Sequence, residues 1–227
     1  MSEFQLFMAI VAVVSFTVCA NDPSSLQDFC VAIKDSNASV FVNGKICKDP
    51  ETVTAEDFFY SGLHRRGNIT SSFGTKLTQV FITQMPGLNT LGIAMVRIDY
   101  LPGGLNPPHV HPRASEMIVV LEGTIHVGFI TANPTDPNSK PKLFAKTLFP
   151  GDVFLFPQGL VHFQHNVGNS SAVAIAALNS QNPGFVTLPR ALFWSEPPLD
   201  HEVVEKTFRV EEKLVEYWQS MAWRGNN

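Results

Sequence analysis

Between residues 77 and 178 the chain is written as short apolar runs divided by turn residues. Segments 78–83 and 93–100 alternate or run apolar. Segment 117–121 is apolar throughout, and Glu122-Gly123 ends it with a turn. In 124–130, Ile125, Val127 and Phe129 fall on one face of an extended chain, and Thr124, His126 and Gly128 on the other. Segments 143–149, 153–156, 161–167 and 172–178 complete the set. Residues 131–141, rich in Asn, Pro and Thr, read as an exposed loop between two strands. Strands this short and regularly spaced predict an all-β sandwich or barrel, and no internal repeat divides it. Three runs, 117–121, 153–156 and 172–178, are apolar on both faces, so both faces of their sheet are expected to be covered. The covers expected are the N-terminal arm and a neighbouring subunit.

The pattern changes at both ends. After Pro189 the period lengthens, and Pro197-Pro198 interrupts the chain. Asp200 is placed to cap a helix reaching about residue 208. A second helix from Glu211 carries Leu214, Val215, Trp218 and Met221 at helical spacing. Upstream, Thr54 is an N-cap for a short helix over 55–60, with Glu56 and Asp57 at its positive end, and 41–45 reads as a short strand and turn. Residues 6–18 form an apolar run too short to span a bilayer comfortably. It ends at Val18-Cys19-Ala20, which marks 1–20 as a secretory signal peptide. The n-region carries Glu3 and no basic residue, and a buried N-terminal helix is the alternative. The chain thus divides into a signal peptide (1–20), an N-terminal arm (21–62), a β domain (63–190) and a C-terminal helical extension (191–227).

Composition narrows the class. The 227 residues fit one domain, and 44% apolar against 16% charged residues marks a core-rich chain. Net charge is −4, and no basic block exists, which argues against nucleic acid and anionic membranes as partners. Of three cysteines, Cys19 leaves with the signal, so Cys30 and Cys47 remain as one pair in an oxidising compartment. A disulfide between them would add ~3 kcal/mol in the chain-entropy model and pin the arm over the β domain; two free buried thiols are the alternative. Asn37, Asn68 and Asn169 each begin an N-x-S/T sequon. Asn68, following Gly67 in a polar loop, is the foremost candidate for a glycan.

The candidate chemistry lies in two stretches. In residues 103–116, His109 and His111 sit two apart in a segment that Pro107, Pro108 and Pro112 bias toward extended geometry, so both rings face one way. Glu116 joins them if the chain turns near Arg113-Ala114, and it then shares a face with Ile118 and Val120. In residues 151–162, turns at Gly151-Asp152 and Pro157-Gln158-Gly159 bring His162 onto the next strand. Three imidazoles and a carboxylate without thiolate suit Mn or non-haem Fe; zinc also takes these ligands. His162, Gln164 and Asn166 share one strand face, which makes Asn166 a candidate to support the site, and His165 takes the other. His126 has no partner in the ligand set, and His64 and His201 are expected to be solvated.

Gly103-x5-His109-x-His111-x4-Glu116-x6-Gly123 and Gly151-x5-Pro157-x-Gly159-x2-His162-x3-Asn166 resemble, without a gap, the two sequence boxes of the germin and germin-like branch of the cupin superfamily. The start of the mature arm, Leu26-Gln27-Asp28-Phe29-Cys30, is similar too. The resemblance implies a single cupin jelly-roll barrel that binds Mn(2+) through His109, His111, Glu116 and His162. It also implies a disulfide at Cys30 and Cys47, frequent glycosylation at Asn68, and C-terminal helices that clasp adjacent subunits in a hexamer, a trimer of dimers. Such proteins are secreted to the plant apoplast and associated with defence.

Some members act as superoxide dismutases, and others are oxalate oxidases. In the latter, an Asn at the place of Asn106 helps bind substrate, together with a second Asn where this chain has Val96, ten residues upstream. Valine cannot donate a hydrogen bond, so an extracellular superoxide dismutase is the expectation. An oxalate oxidase and a non-catalytic, metal-stabilised cell-wall or defence protein are the alternatives.

Overall fold

Among the described residues, 50–221 and 223 of this computed structural model, the alternating segments become ten strands in two antiparallel sheets. They are β1 (Thr75–Val80), β2 (Ala94–Tyr100), β3 (Leu105–Val110), β4 (Glu116–Glu122), β5 (Ile125–Ile130), β6 (Leu143–Leu148), β7 (Val153–Phe156), β8 (His162–Asn166), β9 (Ala172–Leu178) and β10 (Val186–Thr187). One sheet has the order β1-β2-β9-β4-β7, the other β10-β3-β8-β5-β6. The result is a β-sandwich of cupin type. Among the described residues no strand pairing joins the two sheets, so the barrel expected from sequence is seen as a sandwich. The signal peptide expected over 1–20, segment 41–45, Asn37, and the Cys30–Cys47 pair lie outside the described residues.

The core forms where the inward positions of both sheets meet. Ile98 and Tyr100 of β2, Ile118 and Val120 of β4, Ile125 and Val127 of β5, and Phe156 of β7 are all buried. In β4 the buried positions alternate from Glu116 through Ile118 to Val120, so one period carries both a site residue and the core. The other face of this sheet departs from expectation. Met117 and Leu155 are more than half exposed, and Leu121 and Val153 are exposed with them. Within one chain the cover is partial: Phe58, Phe59 and Leu63 lie over the sheet and leave a groove of about 740 Å3.

One ion pair fastens that cover. Arg97 and Asp99, two apart on β2, point outward yet are buried. Arg97 Nη2 lies 2.7 Å from Asp99 Oδ1. Arg97 Nη1 donates to the Leu63 carbonyl at 2.8 Å, and Gly67 N donates to Asp99 Oδ2 at 3.0 Å. Residues 63–67 are thereby tied down by both charges.

The helices differ in detail from the sequence pattern. Thr54 begins a 3-10 turn, Ala55–Phe58, with the Asp57 carboxylate accepting from Thr54 N at 2.8 Å. The turn stops short of the helix expected over 55–60 because Phe59 is already extended. A short helix, α1 (Leu188–Phe193), was not anticipated; Pro189 occupies its first turn, where a missing N–H costs nothing. α2 (His201–Phe208) is capped by Asp200, whose Oδ1 accepts from Glu202 N at 2.8 Å. α3 (Glu212–Ser220) buries Val215, and Trp218 packs on Phe193 with ring centroids 4.9 Å apart. Among the described residues no helix is long and apolar enough to cross a membrane.

Replacing Asp99 by alanine leaves the Arg97 guanidinium buried without its carboxylate. Removal of one partner of a buried pair costs about 3–5 kcal/mol, so urea unfolding of Asp99→Ala should show a loss of that order. A loss near that of an ordinary surface substitution would show that residues 63–67 do not seal the pair.

Candidate metal centre

The site is assembled between the sheets, from β3, its continuation and β8 on one side and β4 on the other. Pro107 and Pro108 interrupt β3, and neither can donate to the ladder. The pairing with β8 shifts register there: Asn106 faces Gln164, and His109 faces His162, so β3 holds one extra residue between them. This bulge sets His109 beside His162, with ring centroids 4.1 Å apart. His111 follows β3, the chain turns at Pro112-Arg113, and Glu116 opens β4. Arg113 holds that turn through its backbone N on the Pro183 carbonyl (3.0 Å) and its Nε on the Asn182 carbonyl (2.9 Å).

The four groups are buried, and their ligand atoms lie within 4.8 Å of one another. Each imidazole is oriented by a backbone carbonyl. His109 Nδ1 lies 2.8 Å from Pro107 O, His111 Nδ1 2.6 Å from Gly184 O, and His162 Nδ1 2.8 Å from Leu160 O. A carbonyl only accepts, so Nδ1 carries the hydrogen in all three rings and the neutral ring presents a lone pair at Nε2. His109 Nε2 and His162 Nε2 have no hydrogen-bond partner despite burial. His111 Nε2 lies 2.8 Å from Glu116 Oε2, and His162 Nε2 lies 3.4 Å from the same oxygen.

The protonation pattern agrees with the geometry. Burial favours the neutral acid of Glu116, but the contacts with His111 and His162 outweigh it and hold the carboxyl well below its usual range. Burial, then the charges of the two neighbouring imidazoles, pushes His109 well below 6.5. Burial opposes protonation of His111 as well, but the Glu116 carboxylate prevails and raises it. One proton between His111 and Glu116 therefore leaves two buried lone pairs without a partner. A divalent cation would satisfy all four groups at once, and the residues present fit one.

Beyond the ligands, Gln164 is fully buried and was not singled out from the sequence. Its Nε2 donates to Glu116 Oε1 at 3.2 Å, and its Oε1 accepts from Asn106 Nδ2 at 2.6 Å. Its signal was the alternation running from His162. Asn106 and Val96 line the cavity beside His109 and Glu116. Asn166 shares the strand face of His162, but its amide is engaged elsewhere. It donates to the Leu101 and Ser170 carbonyls and accepts from Gly168 N, which locks the turn after β8. His126 reaches Thr147 Oγ1 at 3.2 Å, and His165 pairs across from His126. His64 is exposed, whereas His201 is partly buried with Nδ1 3.7 Å from Glu212 Oε1. Asn68 and Asn169 lie exposed in loops.

A family model described as Cupin matches residues 61–216. Germin-like protein subfamily 1 member 7 of Arabidopsis thaliana is 53% identical over 211 residues, covering 93% of this chain and 90% of its own. The chain belongs to the germin-like family of cupins. Germin-like protein 8-9 of Oryza sativa subsp. japonica is 50% identical over 226 residues, covering 99% of this chain and 98% of its own. Among solved structures, an oxalate oxidase superposes with a TM-score of 0.76 at 42% identity, covering 88% of this chain and 96% of that one. This germin-like chain thus keeps a buried cluster able to hold a metal on a fold shared with an enzyme.

The depressed titrations set a pH dependence for the metal-free protein. Below pH ~6.5 the unfolded state protonates at His109 while the fold refuses the proton. Below about 4.5 the same holds for Glu116. Both contributions are therefore lost as pH falls. His111, with its raised value, runs the other way: its contribution is fully present below 6.5 and is lost as pH rises through its folded value. Urea midpoints of chelator-treated protein should fall steeply from pH 5.5 to pH 3.5, and less steeply in His109→Gln, which removes one group that refuses its proton. Equal slopes would show that His109 takes no part in the dependence.

Proposed function

We propose that this germin-like chain is a secreted manganese glycoprotein of the plant apoplast that dismutes superoxide to dioxygen and hydrogen peroxide in defence. His109, His111, Glu116 and His162 hold the metal in this reading. The observation that carries it is an intact ligand set facing a cavity walled by Val96, Ile98 and Leu178, with Val96 where an oxalate-binding site would need a hydrogen-bond donor. Manganese, when bound, supplies one-electron chemistry by cycling between two oxidation states.

The chain's own residues do the remaining work. The three backbone carbonyls take the Nδ1 hydrogens, so each Nε2 is turned toward the centre. Asn106 and Gln164 hold Glu116 in one orientation, and such supporting contacts tune a ligand's basicity. The apolar wall keeps bulk water from the centre. Superoxide carries one negative charge and needs only access and two protons per peroxide formed, so a donor at position 96 is dispensable. A dicarboxylate needs fixed donors, and a site that loses one discriminates strongly against it.

Supports for the wider reading are of several kinds. The signal-like segment over 1–20 and the exposed sequons at Asn68 and Asn169 favour a secreted glycoprotein with a Cys30–Cys47 disulfide. The exposed apolar face around Met117 and Leu155, and the exposed Val203, Leu214 and Tyr217 on the C-terminal helices, favour a homo-oligomer, read as a hexamer. In this reading 63–190 is the cupin unit, 21–62 the arm over it, and 191–227 the clasp. Oxalate oxidation is the second reading, favoured by Asn106 in the cavity and by the 42% identity to a solved oxalate oxidase.

The test is hydrogen peroxide release by the purified, Mn-loaded protein, offered superoxide and oxalate separately. Release from superoxide alone, faster than with an equal amount of free Mn, is expected. Val96→Asn should be needed before oxalate yields peroxide. Peroxide from oxalate in the unaltered protein would reverse the order of the two readings.

A further inference from the structure

The cavity at the ligands offers only about 20 Å3, the scale of one or two waters. Most of its lining is buried, including Leu77, Val96, Ile98, Ala176 and Leu178. Gln79, Phe81 and Phe185 are the partly exposed side chains of that lining. Solvent therefore reaches the ligands past these three.

Phe185 stands apart from the other two. Its ring centroid lies 4.9 Å from that of His109 and 5.8 Å from that of His111. The carbonyl of its neighbour Gly184 accepts from His111 Nδ1 at 2.6 Å, so the backbone beside the ring is tied to a ligand. Gly184 is at φ 73°, and a Cβ there would stand 2.8 Å from Pro112 Cγ, so glycine alone lets the chain pass this close. On its other side Phe185 lines an outer cleft of about 300 Å3 with Thr187, Arg190 and Trp194. The Arg190 guanidinium is exposed and lies 5.2 Å from the Trp194 ring, which gives the cleft a fixed positive charge. One aromatic ring thus separates a cationic outer cleft from the inner cavity. Gln79 completes the mouth from β1, directly across from Val96 in the β1–β2 register.

We propose that Phe185 is a specificity-determining residue: a partition that admits anions of two or three heavy atoms from the Arg190 cleft to the metal and keeps out larger carboxylates. The proposal rests on the reading of the centre as a manganese site that takes superoxide, and it names the feature that selects for it. Truncating the ring joins cleft and cavity, and the enlarged space takes a bidentate hydroxy acid.

The test is binding, read from the manganese EPR spectrum and by calorimetry on the Mn-loaded full chain. The probes are azide, with three heavy atoms, and glycolate, with five. Azide should bind the unaltered protein and Phe185→Ala alike. Glycolate should bind Phe185→Ala at least ~10-fold more tightly than the unaltered protein, with Phe185→Leu between them. Phe185→Leu carries the test should the alanine variant not fold. Equal glycolate affinity in all three proteins overturns the proposal, and so does loss of azide binding in a folded, Mn-loaded variant. Exclusion of glycolate by a protein that leaves superoxide untouched supports the partition and overturns the superoxide reading alone.

Discussion

Everything in this molecule turns on three imidazole rings and one carboxylate, buried together with their lone pairs converging. Backbone carbonyls of Pro107, Leu160 and Gly184 take the Nδ1 hydrogens, so the ring tautomers are fixed by the fold. What remains at the centre is a set of acceptors without enough donors, with two Nε2 atoms left unpartnered. Acceptors removed from water in this way are costly unless a cation joins them. That cost falls at the one cluster of buried groups able to hold a metal among the described residues, and Gln164 Nε2 donates to Glu116 Oε1 there.

The surrounding sandwich serves this geometry. A sheet alone would set residues at a fixed pleat, but Pro107-Pro108 break the β3–β8 ladder and insert the extra residue that lines His109 up with His162. The Arg113 contacts with residues 182 and 183 hold the turn that delivers Glu116. The same returning segment carries Gly184 and Phe185, so one stretch both orients a ligand and narrows the approach to it. If Phe185 partitions the approach as proposed, ligation and selectivity are coupled through the backbone around residue 184. The apolar outer face of the first sheet carries Met117 and Leu155, which are exposed in the single chain.

Much of this was legible in the sequence, for identifiable reasons. Alternation is a local signal, and it located eight of the ten strands to within a few residues along with the shared face of Glu116, Ile118 and Val120; β3 was read only as an extended stretch, and the two-residue β10 was not anticipated. The His109-x-His111 spacing and the two flanking turns announced the convergence, because prolines and glycines constrain a chain locally. What was missed depends on partners far away in sequence. Gln164 was visible as a neighbour of His162 on one face, yet its bond to Glu116 arises only when β8 and β4 meet across the sandwich. Asn166 carries the same periodicity and is drawn instead to the turn by the Leu101 and Ser170 carbonyls. Phe185 gave no signal at all, since an aromatic residue near a β-edge is most simply a core residue. The expectation of a sheet covered on both faces met a single chain whose Met117 and Leu155 stay exposed.

The central claim is that His109, His111, Glu116 and His162 form one metal site whose ligands are held in place by their neighbours. Titrating Mn(2+) into metal-free protein, with the EPR signal of the free ion as readout, tests it most directly. The account predicts saturation at one ion per chain, with affinity lower by roughly 10–100-fold in Gln164→Leu, the usual effect of removing a residue that orients a ligand. Unchanged binding in Gln164→Leu together with undiminished binding in Glu116→Gln would place the metal elsewhere and contradict it.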